Sequence, residues 1–135
     1  MDKKYLKKII AQSPLDLKMI SACCSEAKLK LRDIKYLPKN KLFLISIERL
    51  NKEIENKSEK INSIIKFEFI ESSKSKNMDQ SNQEIILELL AIDLVKKNQN
   101  YEIILLFSNN AFITLSAEII EVTLEDQKKI DDKNI

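Results

Sequence analysis

The sequence contains no glycine, no histidine and no tryptophan, and two of these absences exclude whole classes of chemistry. Phosphate-binding loops and dinucleotide fingerprints need glycine, because the backbone must approach the phosphate closely. Without histidine there is no Ser–His or Cys–His pair and no imidazole ligand for a metal. We therefore expect no nucleotide-binding loop, no histidine-based catalysis and no bound cofactor.

Cysteine is also scarce, since Cys23 and Cys24 are the only two. Adjacent cysteines cannot link distant segments, and two thiolates alone do not complete a zinc site. We interpret both as reduced structural thiols, with a redox role as the alternative. No apolar run approaches the ~20 residues of a membrane span, and the N-terminus lacks the apolar core of a signal peptide. We therefore expect a cytoplasmic protein with no membrane contact.

The residues that are present have the composition of a globular domain. The chain has 135 residues, of which 44% are hydrophobic and 33% charged. A chain of this length buries roughly two thirds of its unfolded surface, so it can build a core without disulfides or metals. We expect a single domain over residues 1–126 and a frayed tail over residues 127–135, which has little to bury.

The clearest helix begins near Ser13. Ser13 suits the N-cap, Pro14 suits the first helical position, and Asp16 completes a pattern that resembles a capping box. The apolar residues that follow recur at helical spacings, which predicts one buried face. The members of that face are Leu17, Ile20, Cys24 and Ala27.

Alternating apolar residues predict strands on both sides of this helix. A short strand is expected over residues 5–12, and residues 28–50 predict a hairpin. Pro38 would fix its turn and Asn40 would take the left-handed conformation that glycine usually supplies. The charged segment 51–62 is interpreted as a solvated loop or a ragged helical excursion.

The C-terminal half predicts most of the sheet. A strand carrying Phe67 and Phe69 leads into a polar stretch, residues 71–83, that we interpret as a long loop. Residues 85–95 are apolar on both faces, as in a central strand. Asn109-Asn110 predicts a two-residue turn between two further strands, and a phase slip near residues 116–118 predicts a bulge.

These elements predict an α+β domain with one N-terminal helix packed on a bent, mostly antiparallel sheet of about seven strands. A half-open barrel, similar to a pleckstrin-homology-like roll, is the alternative. The expected core consists of Leu17, Ile20, Phe43, Ile45, Phe67, Phe69, Leu89, Ile103, Leu105, Phe107, Ile113 and Leu115.

Two patterns carry a family resemblance. One is Tyr36-Leu37-Pro38-Lys39, followed by an apolar strand and Arg49, and the other is the closing Leu124-Glu125-Asp126. From about Leu15 to Asp126 the chain resembles an uncharacterised alphaproteobacterial family of small cytoplasmic proteins, domain of unknown function 2948. The resemblance implies compartment and origin, and it implies no mechanism.

Basic residues give the first candidate site. Lys28, Lys30 and Arg32 alternate with leucines, so in a strand they would form one stripe, with Lys39 and Lys41 near the turn. Such a stripe can bind phosphates, although no set of aromatic residues accompanies it for base stacking. The alternative is a solvated lysine-rich face, since Lys and Ile codons are AT-rich and the chain uses both heavily.

Arginine is the rarer base, because only Arg32 and Arg49 occur among 23 Lys and Arg residues. Each could sit where a planar bidentate fork is needed. We favour a structural ion pair for each arginine, with Asp33, Glu48 or an acid of the C-terminal half as partner. Arg49 is expected at the sheet rim with a buried stem. The residues assigned to possible partner binding are Lys28, Lys30, Arg32, Lys39, Lys41 and Arg49.

Acidic residues offer no clear catalytic pair. Glu88 and Asp93 have an odd spacing, which places them on opposite faces of one strand. The acids nevertheless concentrate in one region: residues 78–126 carry a net charge of −7, and residues 1–41 carry +7. We expect the Lys28–Lys41 segment to lie beside acids such as Glu88, Asp93, Glu102 and Glu118 within one chain, which favours a monomer.

The residues favour no specific activity. A non-catalytic accessory or protein-interaction domain with an unknown protein partner is the leading interpretation, because antiparallel sheets offer an edge or a face to partners. The alternative is nucleic-acid or ribosome-associated binding through the basic surface around residues 28–41. A continuous positive face would favour that alternative, and neutralisation of the face by acids would weaken it.

Overall fold

The structure, a computed structural model, describes residues 6–51 and 59–127, which form one α-helix and ten strands. The helix α1 is Pro14–Cys24. The strands are β1 (Lys8–Ala11), β2 (Ala27–Lys30), β3 (Ile34–Leu37), β4 (Leu42–Asn51), β5 (Glu59–Phe67), β6 (Ile70–Lys76), β7 (Ile86–Lys97), β8 (Asn100–Phe107), β9 (Phe112–Ala117) and β10 (Val122–Asp126). Two 3₁₀ turns, Leu31–Asp33 and Pro38–Asn40, flank β3.

The strands form one open sheet, antiparallel at every pairing among the described residues. Nine follow the order β1-β10-β5-β4-β2-β7-β8-β9-β6, and β3 pairs with β4 beside that path. The expected α+β class of one helix on an antiparallel sheet is confirmed, with about ten strands instead of seven. The three additional strands arise because the first hairpin arm divides into β2 and β3, β6 replaces a loop, and β10 is separate from β9.

Helix α1 starts as the sequence predicts. Ser13 has extended backbone angles, and its Oγ accepts a hydrogen bond from the backbone N–H of Asp16 at 3.2 Å. This bond satisfies one of the N–H groups that a helix start leaves without an intrahelical partner. The helix ends at Cys24, so Ala27, expected on the helical face, lies buried in β2.

The core lies on one face of the sheet, here called the inner face, and α1 packs on that face. Eleven of the twelve expected core residues are buried, and Phe69 is the exception with 43% exposure. Phe69 has a φ of 60° in the short connection between β5 and β6. A left-handed residue breaks the two-residue alternation of a strand, so its side chain turns outward although Phe67 before it points in.

The expected long loop over residues 71–83 is wrong in its first half, because Glu71–Lys76 continue strand β6. This strand pairs with β9 and forms an edge of the sheet. An edge strand pairs with one neighbour only, and in β6 only the first residue, Ile70, is buried. A polar sequence of serines and lysines can therefore form this strand. Lysines on such an edge also discourage pairing with another chain.

Left-handed residues replace glycine in the turns. Asn109 and Asn110 both have positive φ, at 61° and 60°, which confirms the predicted turn between β8 and β9. In the β3–β4 turn the left-handed residue is Lys41, not the expected Asn40. The 3₁₀ turn continues through Asn40, and its end falls one residue later than the turn chemistry predicts.

Two strand bulges change which faces side chains occupy. One lies between Ile70 and Ser72 of β6, opposite Ala117 and Ser116, next to the predicted phase slip. The other lies between Leu89 and Ala91 of β7. Because this second bulge adds a residue between Glu88 and Asp93, both acids point outward, and the expectation of opposite faces is wrong.

Two other predictions fall partly outside the described residues. The expected loop or helix over residues 51–62 includes 52–58, which lie outside them, while β5 already begins at Glu59. Of the expected tail, Gln127 is described and residues 128–135 are not. The first strand, expected over residues 5–12, spans Lys8–Ala11.

Candidate binding cleft on the outer face of the sheet

The outer face of the sheet carries a cleft where two strands separate. Strand β2 pairs with β4 at one position, Lys28 opposite Glu48. The chain then leaves β4 as the 3₁₀ turn Leu31–Asp33 and returns as β3, with Ile34 opposite Ile45. Between these two pairings the surface over Ser46 is left open.

Backbone hydrogen bonds hold the separated segment away from β4. The N–H of Leu31 donates to the carbonyl of Ile85 at 3.0 Å, and the N–H of Arg32 donates to the carbonyl of Gln83 at 3.0 Å. The side chain of Asp33 also accepts from the N–H of Lys30 at 3.0 Å. The cleft is therefore a feature of the hydrogen-bonded backbone and not of side-chain rotamers alone.

The outer-face cleft has a volume of about 820 Å³. Its lining includes basic, acidic, amide and apolar side chains, among them Lys28, Lys30, Arg32, Asp33, Glu48, Asn62, Ile64 and Ile86. A smaller cleft of about 470 Å³ adjoins it, shares Arg32, Asp33, Ser46 and Ile64 with it, and adds Lys35 and Leu44. The larger volume lies within the range of ligand pockets in proteins.

Three of the six predicted site residues meet in this cleft, namely Lys28, Lys30 and Arg32. Lys39 and Lys41 lie instead in and after the turn Pro38–Asn40, away from the lining. Residue-type reasoning missed Lys35, which lines the smaller cleft. Lys35 follows the 3₁₀ turn, so its place in the stripe could not be read from the alternation of residues 28–32.

An acid outside the lining neutralises part of the cleft's positive charge. Glu84 forms ion pairs with Lys30 at 3.0 Å and with Arg32 at 3.1 Å. The hydrogen bond from Lys30, with the Arg32 charge beside it, lowers the pKa of Glu84 below its ordinary value. By contrast, Lys28 and Lys35 form no ion pair with any part of the chain that the structure describes.

Lys41 is likewise engaged within the chain. Its Nζ lies 3.1 Å from Glu71 and 3.9 Å from Glu118. The hydrogen bond to Glu71 raises the pKa of Lys41. A hydrogen bond between the two carboxyl groups raises the pKa of Glu118 and lowers that of Glu71. The expected pairing of Lys41 with Glu118 within one chain is therefore present.

Of the other acids expected beside the Lys28–Lys41 segment, one lies there and two do not. Lys28 lies opposite Glu88 in the β2–β7 register, as expected for neighbours. Asp93 and Glu102 lie elsewhere: Glu102 forms an ion pair with Lys97 at 3.4 Å, and Asp93 accepts a hydrogen bond from the N–H of Leu94. The basic N-terminal segment is thus neutralised mainly by Glu71, Glu84 and Glu118.

Arg49 is buried and does not reach the cleft. Its Nε and Nη2 donate to the two carboxylate oxygens of Asp126 at 3.0 and 2.7 Å. Ser63 donates to Asp126 at 2.6 Å, and the N–H of Lys7 donates to it at 2.9 Å. Of the three predicted partners, an acid of the C-terminal half is the one found, but the expected position at the sheet rim is wrong because the guanidinium is buried with the stem.

Burial and hydrogen bonding act in opposite directions on Asp126. Burial raises the pKa of this carboxyl group, whereas the hydrogen bonds from Arg49, Ser63 and the Lys7 N–H lower it. The hydrogen bonds prevail and hold the pKa of Asp126 below its ordinary value. The pair is therefore charged at neutral pH and serves as a structural contact.

Both cysteines are free thiols. Burial raises the pKa of Cys24 to about 12, so this thiol is protonated and unreactive at neutral pH. Across residues 6–51 and 59–127, no group of three His, Cys, Asp or Glu side chains is placed to hold a metal ion. The helix found in the same ranges is too short to cross a membrane.

The fold and the cleft define a small α+β domain, one helix on an open antiparallel sheet with a cleft of mixed charge on its outer face. A family model described as "Protein of unknown function (DUF2948)" matches residues 7–133, and the chain belongs to that family. Searches of curated proteins and of solved structures found no match. The resemblance to domain of unknown function 2948 is thereby confirmed, and membership of this family assigns no activity.

Proposed function

We propose that residues 1–126 form a single, non-catalytic interaction domain of the cytoplasm, which binds an acidic segment of a partner protein in the outer-face cleft. The observation that carries the proposal is the pair Lys28 and Lys35. These two exposed lysines line the larger and the smaller cleft, and neither has an ion pair among the described residues. Two such ammonium groups favour a ligand with negative charge.

The rest of the lining supports a peptide ligand. Ile86, 64% exposed, lies in the same lining as Lys28 and offers apolar surface to a bound side chain. Asn62 adds an exposed amide that can bond to a peptide backbone. Apolar surface bordered by polar groups is the usual composition of a protein interface.

Nucleic-acid binding fits this surface less well. A phosphate backbone is bound best by a continuous row of cations. The row from Lys28 to Lys41 is interrupted, because Lys30 and Arg32 form ion pairs with Glu84. Lys41 likewise forms ion pairs with Glu71 and Glu118. Among the described residues that line either cleft there is also no aromatic side chain for base stacking.

Fluorescence anisotropy with two labelled probes tests the proposal. The first is a ten-residue peptide of alternating Glu and Leu, and the second is a single-stranded oligonucleotide of similar length, each titrated with the full chain. We expect saturable binding of the peptide that is tighter than binding of the oligonucleotide. The double variant Lys28→Glu/Lys35→Glu should weaken peptide binding by about tenfold or more.

The matched control is Lys18→Glu/Lys39→Glu, which reverses two exposed lysines away from the cleft and leaves the net charge equal to that of the test variant. Binding lost equally in both variants would show general charge attraction and would overturn the assignment to the cleft. Tighter binding of the oligonucleotide, lost only in the cleft variant, would establish the nucleic-acid alternative instead.

A further inference from the structure

A second region of the outer face, formed by strands β7, β8, β9 and β6, has side chains in regular rows across the sheet. The strand registers place Asp93, Ile104, Thr114 and Lys74 in one row. The same registers place Ala91, Leu106, Phe112 and Lys76 in the next row. We call these two rows, together with Leu90 at the bulge, the β7–β6 patch.

The centre of the β7–β6 patch is apolar. Leu106 is 38% exposed and Leu90 is 43% exposed, and Ile104 and Phe112 are half-buried beside them. Their neighbours along each strand, such as Leu105 and Ile113, point to the inner face and fill the core. These side chains are neighbours in the strand registers, so they form one continuous apolar strip on the solvent face.

The ends of the patch carry opposite charges. Asp93 lies at the β7 end, and Lys74 and Lys76 lie on β6. None of these three residues has an ion pair among the described residues. Asp93 and Lys74 are three strand spacings apart, roughly 14 Å, so they cannot pair within one chain.

We propose that two copies of this chain pack face to face through the β7–β6 patch. A two-fold axis parallel to the strands places β7 of one copy over β6 of the other. Because the axis keeps each row in register, Asp93 then lies against Lys74 of the partner subunit. Leu106 of the next row lies against the partner's Phe112.

This arrangement is isologous, since one patch supplies both sides of the interface. The charge order of the row, acid at one end and lysine at the other, complements itself only when the second copy is turned in this way. Edge-to-edge pairing is disfavoured, because Lys74 and Lys76 lie on the exposed edge strand. The contact is therefore made through the sheet face.

The patch is small, so the dimer is weak. Four strands span roughly 14 Å across the sheet and the two rows lie roughly 7 Å apart along the strands, so the patch covers on the order of 100 Å², well below the ~800 Å² per partner of a standard stable interface. The expectation of a monomer rests on the pairing of N-terminal lysines with acids inside one chain. That pairing involves other residues, and it leaves the β7–β6 patch uncovered.

Sedimentation velocity of the full chain, from about 10 µM to about 1 mM, tests the proposal. We expect reversible dimerisation in this range. Asp93→Lys alone and Lys74→Asp alone should each weaken it about tenfold, since each replaces two symmetric attractions by repulsions. The double variant Asp93→Lys/Lys74→Asp should restore it, because the swapped charges again meet between copies.

Leu106→Asp should abolish dimerisation, and Leu15→Asp, at a helix residue 71% exposed, is its matched control. Circular dichroism shows whether each variant remains folded, and the charge-swap series changes only exposed side chains. A monomer at every concentration would overturn the proposal. A dimer that persists in Leu106→Asp, or a double charge variant that fails to recover, would also overturn it.

Discussion

The two arginines hold carboxylates in opposite surroundings. The Arg49 and Asp126 side chains are 1% and 0% exposed, and Arg49 binds both carboxylate oxygens. Arg32 and Glu84 are each 58% exposed, with one ion-pair contact at 3.1 Å. A buried charge must find a partner for every polar atom, whereas water can replace an exposed partner at little cost. An arginine–carboxylate pair is therefore essential to the fold where it is buried and replaceable by water where it is exposed.

The buried pair also connects more of the fold. Arg49 lies on β4, Ser63 on β5 and Asp126 on β10, and Lys7 immediately precedes β1. These strands follow one another in the order β1-β10-β5-β4. The carboxylate of Asp126 thus links β10 to β4, to β5 and to the residue that precedes β1. The Arg32–Glu84 pair joins a 3₁₀ turn to a loop residue on the surface.

The largest effect is expected from breaking the buried pair. Asp126→Ala leaves the Arg49 guanidinium buried with no carboxylate, so the free energy of unfolding should fall by about 3–5 kcal/mol. Urea denaturation followed by circular dichroism measures the loss. The double variant Arg49→Met/Asp126→Leu removes both charges and should lose less than Asp126→Ala alone. An equal or larger loss in the double variant would contradict the assignment of the loss to an unpaired charge.

The next largest effect on stability is expected from replacing each arginine by lysine, because only Arg49 binds its carboxylate through two nitrogens. Lysine cannot reproduce a bidentate fork, so Arg49→Lys should destabilise the fold by roughly 1–3 kcal/mol. Arg32→Lys keeps a single charged contact at an exposed position and should leave the urea midpoint unchanged. Equal effects of the two substitutions would show that Arg49 acts as a simple positive charge.

A pH titration of stability tests the same comparison through protonation. The pKa of Asp126 is lowered in the folded state, so its contribution is complete above the unfolded value of about 3.9 and is lost as the pH falls through the folded value. Stability should therefore decline below about pH 4, and the decline should be shallower in Asp126→Asn. Glu84→Gln serves as the exposed comparison, and a pH profile flattened as much by Glu84→Gln as by Asp126→Asn would contradict the prediction.

The existence of ion pairs at the two arginines could be predicted from the sequence. A structural ion pair was predicted for each of the two arginines, with Asp33, Glu48 or an acid of the C-terminal half as partner, and for Arg49 the last of these three alternatives is the one found. Asp126 could not be chosen from the several acids there, because the choice depends on β10 lying two strands from β4. The complete burial of Arg49 could not be predicted either, because the alternation of apolar and polar residues shows only which face of the strand a residue occupies.

The cleft was predictable in part. The alternation of Lys28, Lys30 and Arg32 placed three basic residues together, and all three line the cleft. The opening itself arises where β2 leaves β4, and no turn residue marks that point because the chain lacks glycine. For the same reason Phe69 was expected inside: its left-handed backbone has no signal in the residue type.

The smallest effect on stability is expected at the exposed pair, where the comparison meets the proposed function. Glu84→Gln removes the acid shared by Lys30 and Arg32, and the urea midpoint should not change measurably because water solvates both bases. Binding of the acidic peptide should instead become about two- to fivefold tighter, since two more cations of the cleft are available to it. Anisotropy titrations of Glu84→Gln and of Glu121→Gln, which removes a half-buried acid outside the cleft lining, make the comparison. Equal gains in both variants would mean that net charge alone controls binding, and no gain in Glu84→Gln would show that Lys30 and Arg32 do not contact the peptide.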